Sequence, residues 1–220
     1  MTRLEAADLY RFYHVGDDET RALRGVSLNL RPGELTVLLG RSGSGKSTLL
    51  ACLAGLDDPD GGQVNVGGER LSRQPEVRRA RLRARHFGVM LQSGNLIPHL
   101  NVLDNARLTG ALLGQRDTGR ALELLDEVDL AHRKHAYPAQ LSGGETARAA
   151  LVAALAHGPA LLLADEPTAE VDAVTEDRVA GVIDAFVRQG GSALIATHSP
   201  RLAARADRVL RLGDGRWQDA

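Results

Sequence analysis

The stretch ELTVLLGRSGSGKSTLLACLAGL, Glu34 to Leu56, decides the fold. Residues 34–40 form a short apolar run that closes on a glycine, the length and character of a buried strand. GRSGSGKS, 40–47, matches G-x-x-x-x-G-K-[ST], and the apolar residues that follow continue as a helix from about 45 to 55. Strand, glycine-rich loop and helix in this order are the context that a phosphate-binding loop requires. Gly43 and Gly45 let the backbone wrap closely, so that its N–H groups face phosphate oxygens. The nucleotide-binding candidates are therefore Gly40, Arg41, Ser42, Gly43, Ser44, Gly45, Lys46, Ser47 and Thr48. Lys46 is expected to bridge the β- and γ-phosphates, and the Ser47 hydroxyl to ligate Mg²⁺.

Outward from this loop, strands and helices alternate. Residues 2–8 and 25–31 read as strands, 57–69 as turn, strand and turn, and HFGVML, 86–91, as another short strand. From about 95 to 156 the periodicity is helical with almost no strand signal. ALLLAD (160–165) and SALIAT (192–197) are buried strands on either side of the helical AVTEDRVAGVIDAFVRQ, and RVLRLGDGR closes with a strand and a turn. That alternation predicts an α/β fold with a parallel sheet.

Composition sets bounds. With 220 residues, 43% hydrophobic and 25% charged, the chain can bury one substantial core. A net charge of −1 gives no general reason to expect nucleic acid as a partner. The basic run RRARLRARH, 78–86, has helical spacing and reads as a solvated face. Cys52, the single cysteine, lies in an apolar helical stretch and is expected to be buried and inert. No signal-peptide pattern and no run of 18 apolar residues is present, so a cytoplasmic protein is expected.

ALLLADE, 160–166, is an apolar strand ending in two acids. In such sheets ligands bind at the carboxyl ends of the strands, which puts the acids beside the phosphate loop. Asp165 is expected to hold Mg²⁺, directly or through water, and Glu166 to accept a proton from the attacking water. Together the two motifs indicate a P-loop nucleotidase. The absence of an N-K-x-D guanine-reading motif argues against a GTPase.

LSGGE at 141–145, with GRSGSGKST upstream and ATHS downstream, resembles the ATPase subunits of ABC transporters over nearly the whole chain. ALRGVSL, LLACLAGLDDPDGG, MLQSGNLIPHLNVLDNARL, YPAQLSGGE and ADRVLRLGDGR are similar to the macrolide-exporter and lipoprotein-release branch. The resemblance implies a P-loop NTPase core of mainly parallel sheet (1–92 and 157–220), an N-terminal antiparallel β portion, and an inserted helical subdomain (93–156). It implies a head-to-tail dimer in which Ser142, Gly143, Gly144 and Glu145 close over ATP held by the second copy. Tyr13 matches the aromatic that stacks on adenine. Gln92 matches the glutamine that reaches Mg²⁺ or the attacking water and opens the lobe that touches the transporter. His198 matches the histidine at the γ-phosphate, and Asp172 the aspartate of the loop that crosses the dimer interface.

The chain departs from the family pattern at Thr146 and Ala147, where glutamines are usual. It departs again at Ala153 for a second arginine, Val171 for leucine and Ser199 for aspartate. None of these removes a catalytic group. The reading is an ATP- and Mg²⁺-dependent ATPase that pairs with itself and docks on an integral membrane permease subunit at the cytoplasmic face. The alternatives are a non-transport ABC ATPase acting as a mechanical regulator, as in cell division, and a non-hydrolysing binding module. Glu166 weighs against the last. The missing C-x-x-C and long heptads weigh against the DNA-repair type, and the single cassette against the translation-factor type.

Overall fold

A computed structural model of the chain describes residues 3–15, 18–116, 119–169 and 171–218. Thr2 of the first expected strand and Glu170 of the loop before Asp172 lie outside them. In chain order the strands are β1 (Leu4–Val15), β2 (Asp18–Leu30), β3 (Leu35–Leu39), β4 (Gly61–Val66), β5 (Glu69–Arg70), β6 (Phe87–Met90), β7 (Leu161–Asp165), β8 (Ser192–Ala196), β9 (Arg208–Gly213) and β10 (Arg216–Trp217). The helices are α1 (Lys46–Leu53), α2 (Glu76–His86), α3 (Val102–Leu112), α4 (Gly119–Glu127), α5 (Gly143–Leu155), α6 (Ala173–Arg188) and α7 (Pro200–Arg205).

Two sheets form. One is antiparallel, in the order β2-β1-β4-β5, and the other runs β10-β9-β3-β8-β7-β6. In the second sheet all pairs are parallel except β10 with β9. Its central strands are apolar on both faces because both faces are covered. Val37, Leu162, Ala164, Ala193 and Ile195 point into a core shared with α3 to α6. Their neighbours Leu38, Leu161, Leu163, Leu194 and Ala196 point the other way, into a core shared with α1, α2 and the antiparallel sheet. Period-two alternation thus divides one run of hydrophobics between two cores.

The N-terminal strands are longer than residues 2–8 and 25–31 suggested. Residues 9–24 carry many charged and aromatic side chains and little apolar alternation. Within this stretch, 9–15 and 18–24 become strand by pairing with each other, as in Tyr13 opposite Thr20, with β-bulges along the way. Between residues 93 and 156 the described residues contain helices and no strand. Cys52 is buried, and burial pushes its thiol up to about 12, so it stays protonated and unreactive. On α2, Arg79 and Arg83 pair with Glu76 at the helix start, and Arg79 also reaches Asp58.

Candidate nucleotide-binding site

The loop between β3 and α1 is shaped by backbone that only glycine adopts without strain. Gly43 and Gly45 have φ of 78° and 104°, and a Cβ at Gly45 would collide with the Ala22 carbonyl. The first-turn N–H groups of α1 have no partner within the helix and face outward with its positive dipole end. The Lys46 ammonium donates to the carbonyls of Gly40 (2.7 Å) and Arg41 (3.2 Å), which draws the side chain back across its own loop. Lys46 is buried nonetheless.

Across from the loop stand the ends of β7 and β8. Their pairing places Asp165 beside Ala196, which brings the next residues of each strand together. Glu166 sits at φ 49°, a conformation that costs about 1–3 kcal/mol for a side chain of this kind. Its backbone and its side chain are each held by a partner. Its N–H donates to the Ala196 carbonyl at 2.8 Å, its Oε2 accepts from the His198 N–H at 3.2 Å, and its Oε1 lies 3.4 Å from His198 Nε2. Oε1 is buried and accepts no hydrogen bond. The Glu166 side chain is 14% exposed while that of His198 is 60% exposed, so the carboxylate is shielded and the imidazole open.

A single cavity of about 930 Å³ joins these parts. Lys46, Ser47, Gln92, Asp165, Glu166 and His198 all line it, along with Tyr13, Ser42, Gly43, Gly45 and Thr48. Gln92 comes from the segment just after β6 and is exposed. Ser47, Gln92 and Asp165 are oxygen donors, the kind a magnesium ion takes while keeping waters and phosphate oxygens for its remaining positions. Tyr13 closes the far end. Burial pushes its phenol above the ordinary range, so it stays neutral and donates to Asp57 Oδ2 at 2.8 Å.

Several wall residues were not among the candidates, including Arg24, Thr168 and Asp214, and Thr197, which lies within ATHS. The Asp214-Gly215 turn was legible, but its place in the site was not. It is pinned there because the Gly215 N–H donates to the Ser44 carbonyl and its carbonyl accepts from Arg24.

Ser142, Gly143, Gly144, Glu145 and Asp172 lie outside this cavity. Ser142 caps α5: its Oγ accepts from the Glu145 N–H (3.2 Å), and the Glu145 carboxylate accepts from the Ser142 N–H (2.8 Å). That backbone bond first, with Arg133 at 3.1 Å adding its charge, holds the Glu145 carboxyl below the usual range. Glu145 is therefore committed to shaping the helix start. Asp172 caps α6 by accepting from the Thr175 N–H (2.9 Å) and hydroxyl (3.1 Å), which lowers its carboxyl too.

The departures from the family pattern have local partners in most cases. Thr146 Oγ1 donates to the Ser142 carbonyl at 2.9 Å. Ser199 caps α7 and also donates to Glu176 of α6. Ala153 lines a separate groove of about 360 Å³ between the core and the helical segment. Val171 is half-buried beside the cap of α6. Nothing in the structure accounts for Ala147.

Phosphate loop, acidic strand end and aromatic wall around one cavity define an ATP-hydrolysing P-loop nucleotidase. The ABC transporter family model matches residues 23–169. The chain belongs to that family, as an ATP-binding subunit with ATPase activity. It is 46% identical over 208 residues to the uncharacterized ABC transporter ATP-binding protein YbbA of Escherichia coli K12, covering 93% of this chain and 91% of that one. It is 41% identical over 219 residues to the lipoprotein-releasing system ATP-binding protein LolD of Paramagnetospirillum magneticum, covering 96% of each. The dimeric structure of the bacterial ABC transporter cassette MJ0796 superimposes with a TM-score of 0.93 at 30% identity, covering 98% of this chain and 97% of that one. A post-hydrolysis dimer of the same cassette, bound to ADP and Pi, gives 0.91.

Proposed function

We propose that two copies of this chain pair head to tail around ATP and Mg²⁺ and drive a separate membrane permease subunit. The observation that carries the reading is a division of labour. The phosphate loop, Asp165, Glu166 and His198 share one cavity, while the helix start at Ser142 is exposed and is not part of its lining. In this reading Ser142 and the N–H groups of Gly143 and Gly144 complete their site on the γ-phosphate held by the other copy, with Glu145 fixing the Ser142 geometry. Asp172, at the cap of α6, lies on the same interface.

Ser47, Gln92 and Asp165 would hold Mg²⁺, which would neutralise phosphate charge. Tyr13 stacks on the adenine. Lys46 leaves its loop carbonyls for the phosphates, and Arg41, Ser42, Gly43, Ser44, Gly45 and Thr48 surround them with the loop that begins at Gly40. Glu166 takes the proton of the attacking water as the new P–O bond forms. The bond to the β-phosphate oxygen breaks, and its electrons stay on ADP, beside Lys46. His198 contacts the γ-phosphate. Loss of the γ-phosphate removes an anion shared by both copies, so hydrolysis becomes separation.

Among the described residues no helix is long and apolar enough to cross a membrane. The groove next to Ala153 supports a docked partner, since Leu91, Leu56 and Leu112 line it and are 42%, 42% and 75% exposed. Residues of the expected core (1–92 and 157–220) and of the expected helical subdomain (93–156) both line the groove, which supports that division.

Complementation tests the shared site. A Lys46→Ala chain has a dead phosphate loop and an intact helix start, and a Ser142→Arg chain has the reverse. Each alone is expected to be inactive, and their mixture to recover part of the ATPase activity through one intact composite site. A mixture as inactive as its components, under conditions where mixed dimers are recovered, would count against the reading.

A further inference from the structure

The cavity's aromatic wall has a support behind it that no motif announces. Tyr13 lines the cavity, but Arg11 and Asp57 do not. The Arg11 guanidinium lies over the Tyr13 ring, 4.6 Å from its centroid. It is fixed by a bidentate pair with Asp57, Nε to Oδ2 at 2.8 Å and Nη2 to Oδ1 at 2.9 Å. Nη1 reaches both oxygens of Asp60 at 3.2 Å, and Asp60 also accepts from the Phe12 N–H at 2.7 Å. The same Asp57 Oδ2 receives the Tyr13 hydroxyl. One carboxylate thus holds both the cation against the ring and the tip of the ring.

Asp57 stands four residues past the end of α1, and its N–H donates to the Ala51 carbonyl, which ties it back to that helix. The helix that starts at the phosphate loop is thus linked, through the turn after it, to the anchor of the aromatic wall.

We propose that Arg11 and Asp57 are positioning residues that preset the Tyr13 ring for the base of the nucleotide. The inference rests on the reading of Tyr13 as the adenine platform and deepens it. A tyrosine on an exposed strand would otherwise lose rotamer freedom when a base stacks on it, and a platform already held loses none. The guanidinium over the ring adds a cation–π contact that is made before nucleotide arrives. The prediction is a defect confined to the base. Removing the clamp weakens ATP by about threefold to tenfold, the factor for freeing one side chain, and leaves the phosphates alone.

The test uses the full chain and two probes, ATP and magnesium tripolyphosphate, the latter read as a competitor of ATP. Arg11→Met, Arg11→Lys, Asp57→Asn and Tyr13→Ala are compared for affinity to each probe and for kcat at saturating ATP. The expected result is weaker ATP binding in Arg11→Met and Asp57→Asn, with unchanged tripolyphosphate affinity and kcat. Arg11→Lys, which keeps the cation over the ring, should recover part of the loss. Equal weakening of both probes would mean general damage to the site and would overturn the proposal. Unchanged ATP affinity in Arg11→Met and Asp57→Asn, with Tyr13→Ala impaired, overturns the clamp and leaves the platform reading standing. An unimpaired Tyr13→Ala overturns the platform reading itself and the clamp with it.

Discussion

Glu166→Gln separates basicity from geometry better than any other change in the site. Glutamine is nearly isosteric, and its side-chain oxygen can still accept from the His198 N–H that bonds Glu166 at 3.2 Å. Its amide nitrogen would take the place of Oε1, 3.4 Å from His198 Nε2, where it can donate to a neutral imidazole. The φ of 49° is held by the Ala196 carbonyl through the backbone N–H and does not depend on the side chain. What the substitution removes is the ability to take a proton. General-base catalysis contributes roughly 10²–10⁴ in rate, or about 2.7–5.4 kcal/mol of barrier. Turnover measured as phosphate release at saturating ATP should fall by that factor, while ATP affinity stays near wild type. Loss of a negative charge beside the γ-phosphate should also let the ATP-bound dimer persist in gel filtration. A variant that hydrolyses ATP at the wild-type rate would refute the assignment of Glu166 as the base.

Two further outcomes follow from the packing. Gly88 of β6 lies so close to α5 that a Cβ there would collide with the Ala154 carbonyl, so Gly88→Ala should destabilise by about 1–3 kcal/mol; a denaturant midpoint equal to wild type would show that the two elements yield freely. His157 is buried at the end of α5, 3.1 Å from the Phe87 carbonyl, and burial holds its imidazole below the ordinary 6.5. The unfolded chain then binds more protons just below that pH, so stability should fall as pH drops through about 6.5 towards the folded value. His157→Gln should flatten this slope in urea titrations between about pH 7.5 and 5.5, leaving the part carried by His86, which burial also depresses. An unchanged slope would remove His157 from the account.

The nucleotide site was largely readable because its two central motifs are local. A loop that must wrap a phosphate needs Gly43 and Gly45 where they stand, and an acid at the end of an apolar strand has one place to go in a parallel sheet. LSGGE was legible too, and its structure adds that Glu145 caps the helix through Ser142. The wall around the base was a different matter. Arg24 and Asp214 reach the cavity only because the β9–β10 turn bonds to the phosphate loop and to β2, partners far away in sequence.

Sequence by itself determined the order of strands and helices, the phosphate loop and the acids, because each depends on neighbours a few residues away. Residues 9–15 and 18–24 show the limit: their strand character comes from antiparallel pairing with each other, and no periodicity encodes it. Only the tertiary structure decided that Asp57, just past the end of α1, accepts from the Tyr13 hydroxyl, or that Ser142 lies outside the cavity that Lys46 lines. The physical reason is the same in each case. Local hydrogen bonding and burial periodicity are written along the chain, whereas contacts between distant segments are fixed by how two cores pack against one twisted sheet.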